Sequence, residues 1–201
     1  MPRAAAPEPT VLLDRSGLRE VIGRLARELD EEAVDDAVVV VTLPGGLLFA
    51  SDLLRQLRGS PVVDFVATAP YRPGSAAELV ARPATDLRGR RVVLLTDVVD
   101  TGLSLTYVLG ELARSDPSEL RTCALVDKPH RRLVPVQLDH VGVSVDDDFV
   151  IGYGLDFGGW YRNLPVVAAA DLDLLASDPT CYRLWAYGNR SPASEAGDAS
   201  G

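Results

Sequence analysis

The 201-residue chain is 47% hydrophobic and 24% charged, a balance that excludes a disordered chain and suits one domain with a sizeable core. Its formal net charge of -9 argues against a nucleic-acid backbone as partner. It does not exclude phosphorylated small molecules, because a divalent cation bridges acid to phosphate. The sequence holds no apolar run of about eighteen residues and no basic-then-apolar leader, so a cytoplasmic protein without membrane contact is expected.

Residues 1–14 begin Pro/Ala-rich and are expected to be flexible. Ser16 is expected to cap an amphipathic helix in which Leu18, Val21, Ile22, Leu25 and Leu29 share one face. Ala37 to Leu43 is a continuous apolar run, as in a strand buried on both faces. It ends in Leu43-Pro44-Gly45-Gly46, and Leu47 to Leu57 follows as a helix. Pro61 to Ala67 is a second strand. The segment 68–89, rich in Pro, Gly and Ser, is long for a compact α/β unit and is read as a lid, a β-ribbon or both. Arg91 to Asp97 and Leu120 to Val126 are further strands, with a helix from Leu103 to Arg114 between them. Short strand-like pieces come next at Val141 to Val145, Phe149 to Gly152 and Pro165 to Ala169, then helical propensity at Asp171 to Ser177. Residues 177–201 form an extension expected to be disordered from about residue 189, with Trp185 to Tyr187 a candidate docking or oligomer-contact strand. Strands alternating with helices predict an α/β fold with a doubly wound, mostly parallel sheet of about five strands over residues 15–176. A small hood is expected from the chain ends, partly from residues 145–176.

Val92 to Ser104 (VVLLTDVVDTGLS) carries the most chemistry. A buried strand there delivers Asp97 and Asp100 to the carboxyl edge of the sheet, where α/β proteins bind ligands. The Asp-Thr-Gly-Leu-Ser turn then presents backbone N–H groups and hydroxyls at a helix start, where phosphate is favoured. All but one of the 20 basic residues are arginine; the single lysine is Lys128, within Leu125-Val126-Asp127-Lys128-Pro129, which Arg131 and Arg132 follow. Cys123 and Cys181 lack metal-site spacing and are expected to be ordinary buried thiols. His130 and His140 lack ligand spacing and are expected at exposed loop or strand positions. Trp160 and Tyr161 either line a site beside Arg162 or pack the C-terminal lobe.

Val92 to Ser104 resembles the phosphoribosyl-pyrophosphate (PRPP) motif of type I phosphoribosyltransferases. The Asp127-Lys128-Pro129 element, and Phe149 to Phe157 continuing through Tyr161-Arg162-Asn163-Leu164-Pro165, resemble the hypoxanthine-guanine phosphoribosyltransferase family. That resemblance implies transfer of a 5-phosphoribosyl group from PRPP to a 6-oxopurine, with Mg²⁺, in a homodimer or homotetramer. It implies that Asp97 accepts from the ribose hydroxyls, that Asp100 faces the purine as general base, and that Thr96, Thr101, Gly102 and Ser104 complete the ribose and 5′-phosphate site. Pro44, Gly45, Gly46, Tyr71 and Arg162 are the implied pyrophosphate group. Lys128, Phe149, Val150 and Asp156 are the implied purine group, and Asp97 and Asp156 the implied metal ligands.

Three positions depart from the family pattern. Thr96 stands where a glutamate is usual, Leu43-Pro44-Gly45 replaces Leu-Lys-Gly, and Pro70-Tyr71 replaces Ser-Tyr. The resemblance implies a non-proline cis peptide in this loop, and proline lowers its cost from ~3 to below about 1 kcal/mol, so a cis Leu43-Pro44 bond is expected. Pro44 supplies no N–H, which leaves Gly45 and Gly46 as the expected donors. These departures keep two other readings open: a specialised paralogue acting on a purine-like base such as a deazapurine, and a PRPP- or nucleotide-binding regulator with weak catalysis.

Overall fold

The computed structural model describes residues 7–32, 34–69 and 78–188. In chain order the elements are β1 (Thr10–Leu13), α1 (Arg15–Glu31), β2 (Val38–Leu43), α2 (Leu47–Leu54), β3 (Val62–Thr68), β4 (Leu79–Ala81), β5 (Arg91–Val99), α3 (Leu103–Ala113), β6 (Glu119–Asp127), β7 (His140–Ser144), β8 (Phe149–Ile151), β9 (Val167–Ala170), α4 (Leu172–Ser177) and α5 (Arg183–Tyr187). The main sheet has the order β4-β3-β2-β5-β6-β7. Five of its strands pair in parallel, as expected; β4 adds an antiparallel sixth at the edge through Ala67↔Ala81 and Thr68↔Leu79. The β3–β4 pair is the base of the ribbon anticipated for the 68–89 segment. Tyr71 and the rest of that segment's tip lie outside the described residues, as does the tail from residue 189.

Val38–Val41, Val92–Leu95 and Cys123–Val126 are continuous buried apolar runs because both faces of the sheet are covered. Val39, Val41, Val93, Leu95 and Leu125 face α1 and α2, packing on Leu25, Leu29, Phe49 and Leu53. Val38, Val40, Val92, Leu94 and Ala124 face α3, packing on Leu105, Val108 and Leu112. This alternation places helices on opposite faces, the doubly wound arrangement. All five parallel strands therefore point their carboxyl ends at one edge, where the loops after β2, β5 and β6 gather.

The hood is a second sheet of order β1-β9-β8. Thr10–Leu13 is thus ordered rather than flexible, because it pairs antiparallel with β9 from Thr10↔Ala169 to Leu13↔Val167. That partner lies more than 150 residues away, and no local pattern in residues 1–14 reports it. Part of the C-terminal extension is also packed: Tyr182 is buried with Ile151, Tyr161 and Leu175. Trp185 to Tyr187 belongs to α5, not to a strand, and the Tyr187 hydroxyl donates to Asn163 Oδ1 at 2.6 Å. Tyr161 packs this lobe, its hydroxyl donating to Pro179 O at 2.8 Å, while half-exposed Trp160 lies under the Arg183 guanidinium.

Other differences from the sequence reading have local causes. The cap of α1 is Asp14, whose carboxylate accepts from Gly17 N at 2.8 Å and from the Ser16 hydroxyl at 2.7 Å. A carboxylate there also opposes the positive end of the helix, so it displaces Ser16 as cap. Strand β5 runs two residues beyond Asp97 because Val98 and Val99 continue the ladder with Val126 and Asp127. Helix α2 stops three residues early, at Leu54. His140 is buried, not exposed: Nδ1 lies 3.0 Å from Glu28 Oε2 and Nε2 lies 3.3 Å from Glu32 Oε2. Cys123 is buried in the core, which pushes its thiol pKa up, whereas Cys181 is half-buried.

The hood docks on α2 through Tyr153, whose hydroxyl donates to Asp52 Oδ2 at 2.5 Å. Just before it, Gly152 has φ 95°, and a Cβ built there sits 2.1 Å from Val166 O. Gly152→Ala is expected to destabilise the fold by at least about 1–3 kcal/mol, the cost of a strained backbone position. Urea unfolding monitored at the tryptophans measures it; an unchanged midpoint would contradict this account of the hood corner.

Candidate active site

A cavity of about 330 Å³ opens at the carboxyl edge between the end of β2, the end of β5, the start of α3 and the hood. Its lining brings together Thr96, Asp97, Asp100, Thr101, Gly102 and Ser104 from the β5–α3 loop, Pro44 and Gly45 after β2, and Asp156 and Arg162 from the hood. Helix α3 starts at Leu103, immediately after the turn at Gly102, so its free N–H groups and positive end face this space. The Leu43-Pro44 bond is cis, as anticipated. Gly46 is not part of the lining. Its N–H donates to Thr42 O at 3.0 Å in the turn that enters α2, so Gly45, not Gly46, faces the cavity.

Asp97 lies on the cavity floor. Burial pushes its carboxyl pKa up, opposed by the Val98 backbone N–H, the Thr96 hydroxyl and the Arg162 guanidinium. The Thr42 hydroxyl donates to Thr96 Oγ1 at 3.2 Å, and Thr96 in turn to Asp97 Oδ1 at 3.4 Å. The β2 and β5 ends are thus joined through neutral hydroxyls rather than a second carboxylate. Across the cavity Asp156 is ion-paired to Arg162 Nη2 at 2.7 Å and accepts from Gly159 N at 2.6 Å. Arg162 Nη1 donates to Gly154 O at 2.5 Å, which aims the guanidinium along the hood edge.

A second cleft of about 480 Å³ lies on the other side of Asp100. Lys128, Phe149, Arg131, Asp147 and Asp148 line it, and Asp100 belongs to both spaces. Lys128 is only 4% exposed, and its Nζ makes no hydrogen bond or ion pair among the described residues, standing 5.8 Å from the Phe149 ring centroid. Burial pushes its ammonium pKa down, while the Asp100 carboxylate pulls it up. The stem is buried while the ammonium opens into the cleft, where a ligand oxygen would meet a donor that no described residue engages. Phe149 meets Phe157 edge-on at 5.7 Å, leaving its ring as a half-buried wall. Asp156 does not join Lys128 and Phe149 but faces the first cavity, while Val150, next to Phe149 on β8, turns its side chain into the core.

Two arginines were quoted in the sequence without a role. Arg132 pairs with Asp127 and donates to Val99 O at 2.7 Å, to Lys128 O at 3.4 Å and to Asp100 O. It therefore ties the β5 loop to the β6 loop. Arg131 Nε donates to Asp100 Oδ1 at 3.0 Å. Their position after Asp-Lys-Pro was the available signal; Thr42, an unremarkable strand residue, gave none.

The doubly wound sheet, with a Gly turn and helix start at its carboxyl edge and two spaces that share one carboxylate, is the arrangement of an α/β protein that binds small ligands beyond its strand ends. The phosphoribosyl transferase domain family matches residues 11–158. Hypoxanthine phosphoribosyltransferase of Escherichia coli (strain K12) is 34% identical over 164 residues, covering 78% of this chain and 92% of the relative. Hypoxanthine-guanine phosphoribosyltransferase of Mycobacterium tuberculosis is 35% identical over 158 residues, covering 77% and 78%. A crystal structure of a hypoxanthine-guanine phosphoribosyltransferase from Bacillus anthracis superposes with a TM-score of 0.78 at 29% identity, covering 82% of this chain and 100% of that one. The chain belongs to the phosphoribosyltransferase family, on its hypoxanthine-guanine branch, and is a pentosyltransferase.

Among the described residues no group of three or more His, Cys, Asp or Glu is placed to hold a metal ion. Two carboxylates in one cavity, Asp97 and Asp156, nevertheless suit Mg²⁺, which takes one or two carboxylates and completes its shell with substrate oxygens and water.

The close approach of Gly45 to Asp97 leaves no room for a side chain: a Cβ at Gly45 would sit 1.7 Å from Asp97 Oδ2. Gly45→Ala is expected to displace that carboxylate and lower kcat/KM for phosphoribosyl transfer roughly 100-fold, with the melting temperature little changed. Steady-state kinetics alongside thermal unfolding check this. Unaltered kcat/KM would remove Asp97 from the reacting geometry.

Proposed function

We propose that this chain transfers the 5-phosphoribosyl group of PRPP to a 6-oxopurine, hypoxanthine or guanine, giving the nucleoside 5′-monophosphate and pyrophosphate in purine salvage. One observation carries the reading: Asp100 lines both the cavity with the phosphate turn and the cleft with Lys128 and Phe149. A carboxylate so placed stands between a sugar and a base.

In this reading the 5′-phosphate sits on the Thr101–Ser104 turn and the α3 N-terminus. Asp97 accepts from the ribose hydroxyls, with Thr96 beside it. Gly45 and Arg162 face the pyrophosphate, Arg162 through its planar fork. Tyr71 is assigned to the same group by resemblance alone. Phe149 stacks on the base and Lys128 donates to the oxygen at C6. An amino group there would leave both it and Lys128 without an acceptor, which separates 6-oxo from 6-amino purines. The purine nitrogen bonds to C1′ as the bond from C1′ to pyrophosphate breaks, and Asp100 takes the proton the base gives up. Asp97 and Asp156 are the residues that would hold Mg²⁺, which when bound would offset charge on the pyrophosphate.

A homodimer or homotetramer in the cytoplasm completes the proposal. Exposed Val63 and Phe65 on β3 and Val80 on β4 leave apolar surface for such contacts. No helix among the described residues is long and apolar enough to cross a membrane.

A Mg²⁺-dependent assay of PRPP consumption with hypoxanthine, guanine, xanthine, adenine and deazapurines tests the reading. Turnover of hypoxanthine or guanine is expected; turnover of deazapurines alone, or of no base, would overturn it. Lys128→Ala is expected to lower kcat/KM for the 6-oxopurine by about 10- to 100-fold, the worth of a charged hydrogen bond, with PRPP affinity kept. Equal loss of PRPP binding would refute its role. Asp100→Asn is expected to cut kcat by about 100-fold or more with KM for PRPP near that of the parent. Unchanged kcat would remove Asp100 as the base.

A further inference from the structure

The mouth of the base cleft is spanned by a guanidinium that the transfer chemistry above leaves unused. Arg131 donates through Nε to Asp100 Oδ1 at 3.0 Å, and its Nη1 reaches Asp147 Oδ1 at 3.1 Å. Asp100 ends the loop that carries the phosphate turn. Asp147 lies between β7 and β8, two residues before Phe149. One side chain thus links the phosphate turn to the strand bearing the aromatic wall.

Stability does not account for this arrangement. The side chains of Arg131, Asp100 and Asp147 are 45%, 41% and 72% exposed, and ion pairs so open to water add little to folding. The loop backbone is secured separately, by Arg132 on Val99 O and Asp100 O and by Lys128 N donating to Val99 O at 3.0 Å. What Arg131 adds is orientation. An ionised carboxylate accepts through two oxygens; with Oδ1 engaged by Arg131, Oδ2 is left for an incoming donor and rotation of the group is arrested. Without that contact a half-exposed aspartate is free to rotate, and a misaimed base loses rate even when substrate binds well.

We propose that Arg131 is a positioning residue for the transfer reaction: anchored on Asp147, it holds Asp100 Oδ1 so that Oδ2 receives the proton of the purine. The proposal rests on the reading of Asp100 as general base. Lysine is a poor substitute, because a single ammonium on a flexible stem does not hold two carboxylates in one fixed plane.

The test is steady-state kinetics with Mg²⁺, PRPP and hypoxanthine on the full chain and on Arg131→Ala, Arg131→Lys, Asp147→Asn, the Arg131→Ala/Asp147→Asn double variant and Asp100→Asn, each with its melting temperature. Arg131→Ala is expected to lower kcat roughly 10- to 100-fold, with KM for PRPP and melting temperature unchanged. Arg131→Lys restores only part of that loss. Asp147→Asn lowers kcat in the same direction, and the double variant is no slower than Arg131→Ala, because both changes remove one linkage. Added guanidinium ion at non-denaturing concentration restores turnover to Arg131→Ala but not to Asp100→Asn. Parental kcat in Arg131→Ala overturns the proposal. So does a loss confined to PRPP KM and melting temperature that guanidinium does not relieve. A parent protein inactive on every purine overturns the function reading instead; an active parent with a slow Asp100→Asn and a fast Arg131→Ala overturns the positioning role alone.

Discussion

The site depends on the parallel pairing of β5 with β6 and on the guanidinium that locks its end. Val99 pairs with Asp127 at the last rung, and just beyond it Arg132 grips Asp127, Val99 O, Asp100 O and Lys128 O together. Two loops far apart in sequence are thereby held as one unit: the loop that turns toward phosphate and the loop that carries the sole lysine. A charge this buried is tolerated because its donors are met by carbonyls and by a carboxylate, and removing any of them would leave polar groups stranded. The hood then closes over this unit. Tyr153 bonds to Asp52, and Gly154 abuts Gly45 O so closely that a Cβ there would lie 2.1 Å from it. Asp156 and Arg162 reach the first cavity because of that docking.

Much of this was legible in the sequence, and for identifiable reasons. Runs such as Ala37 to Val41 and Val92 to Leu95 are apolar at every position, as a strand covered on both faces requires, and their alternation with helical stretches points to a doubly wound sheet. Asp97, Asp100, Thr101, Gly102 and Ser104 form a contiguous stretch, so local order was enough to place them together. Lys128 stood out through composition. What escaped was long-range. β1 is a strand only because β9 offers it an edge, and His140 is buried only because Glu28 and Glu32 on α1 face it. Arg131 and Arg132 were visible as a pair, but their partners are set by the meeting of three loops. The resemblance put Asp156 in the purine group as well as among the metal ligands; the tight turns at Gly152 and Gly154 carry it round to the other cavity.

Two departures from the family pattern acquire a physical meaning. Thr96 does not leave a hole where a carboxylate is usual: with Thr42 it forms a neutral hydroxyl chain ending on Asp97. Asp97 becomes the carboxylate that β5 supplies to the cavity floor, its pKa pushed up by burial and opposed by the Val98 N–H, the Thr96 hydroxyl and Arg162. Pro44 removes an N–H and a positive charge from the loop after β2, and Gly46 is occupied in the turn, so the burden on Gly45 and Arg162 rises. Thr96 removes a carboxylate from the ribose side, and Pro44 removes a positive charge from the pyrophosphate side. Lys128, Phe149 and Asp100 line one cleft.

The central claim is that one carboxylate divides a phosphoribosyl cavity from a purine cleft. The most direct measurement is a crystal structure of the chain with guanosine 5′-monophosphate. The phosphate is expected on the Thr101–Ser104 turn, the ribose hydroxyls at Asp97, the ring against Phe149 with its C6 oxygen at Lys128 Nζ, and Asp100 beside the imidazole edge. A nucleotide bound with its base in the first cavity, or away from Lys128, would contradict the account.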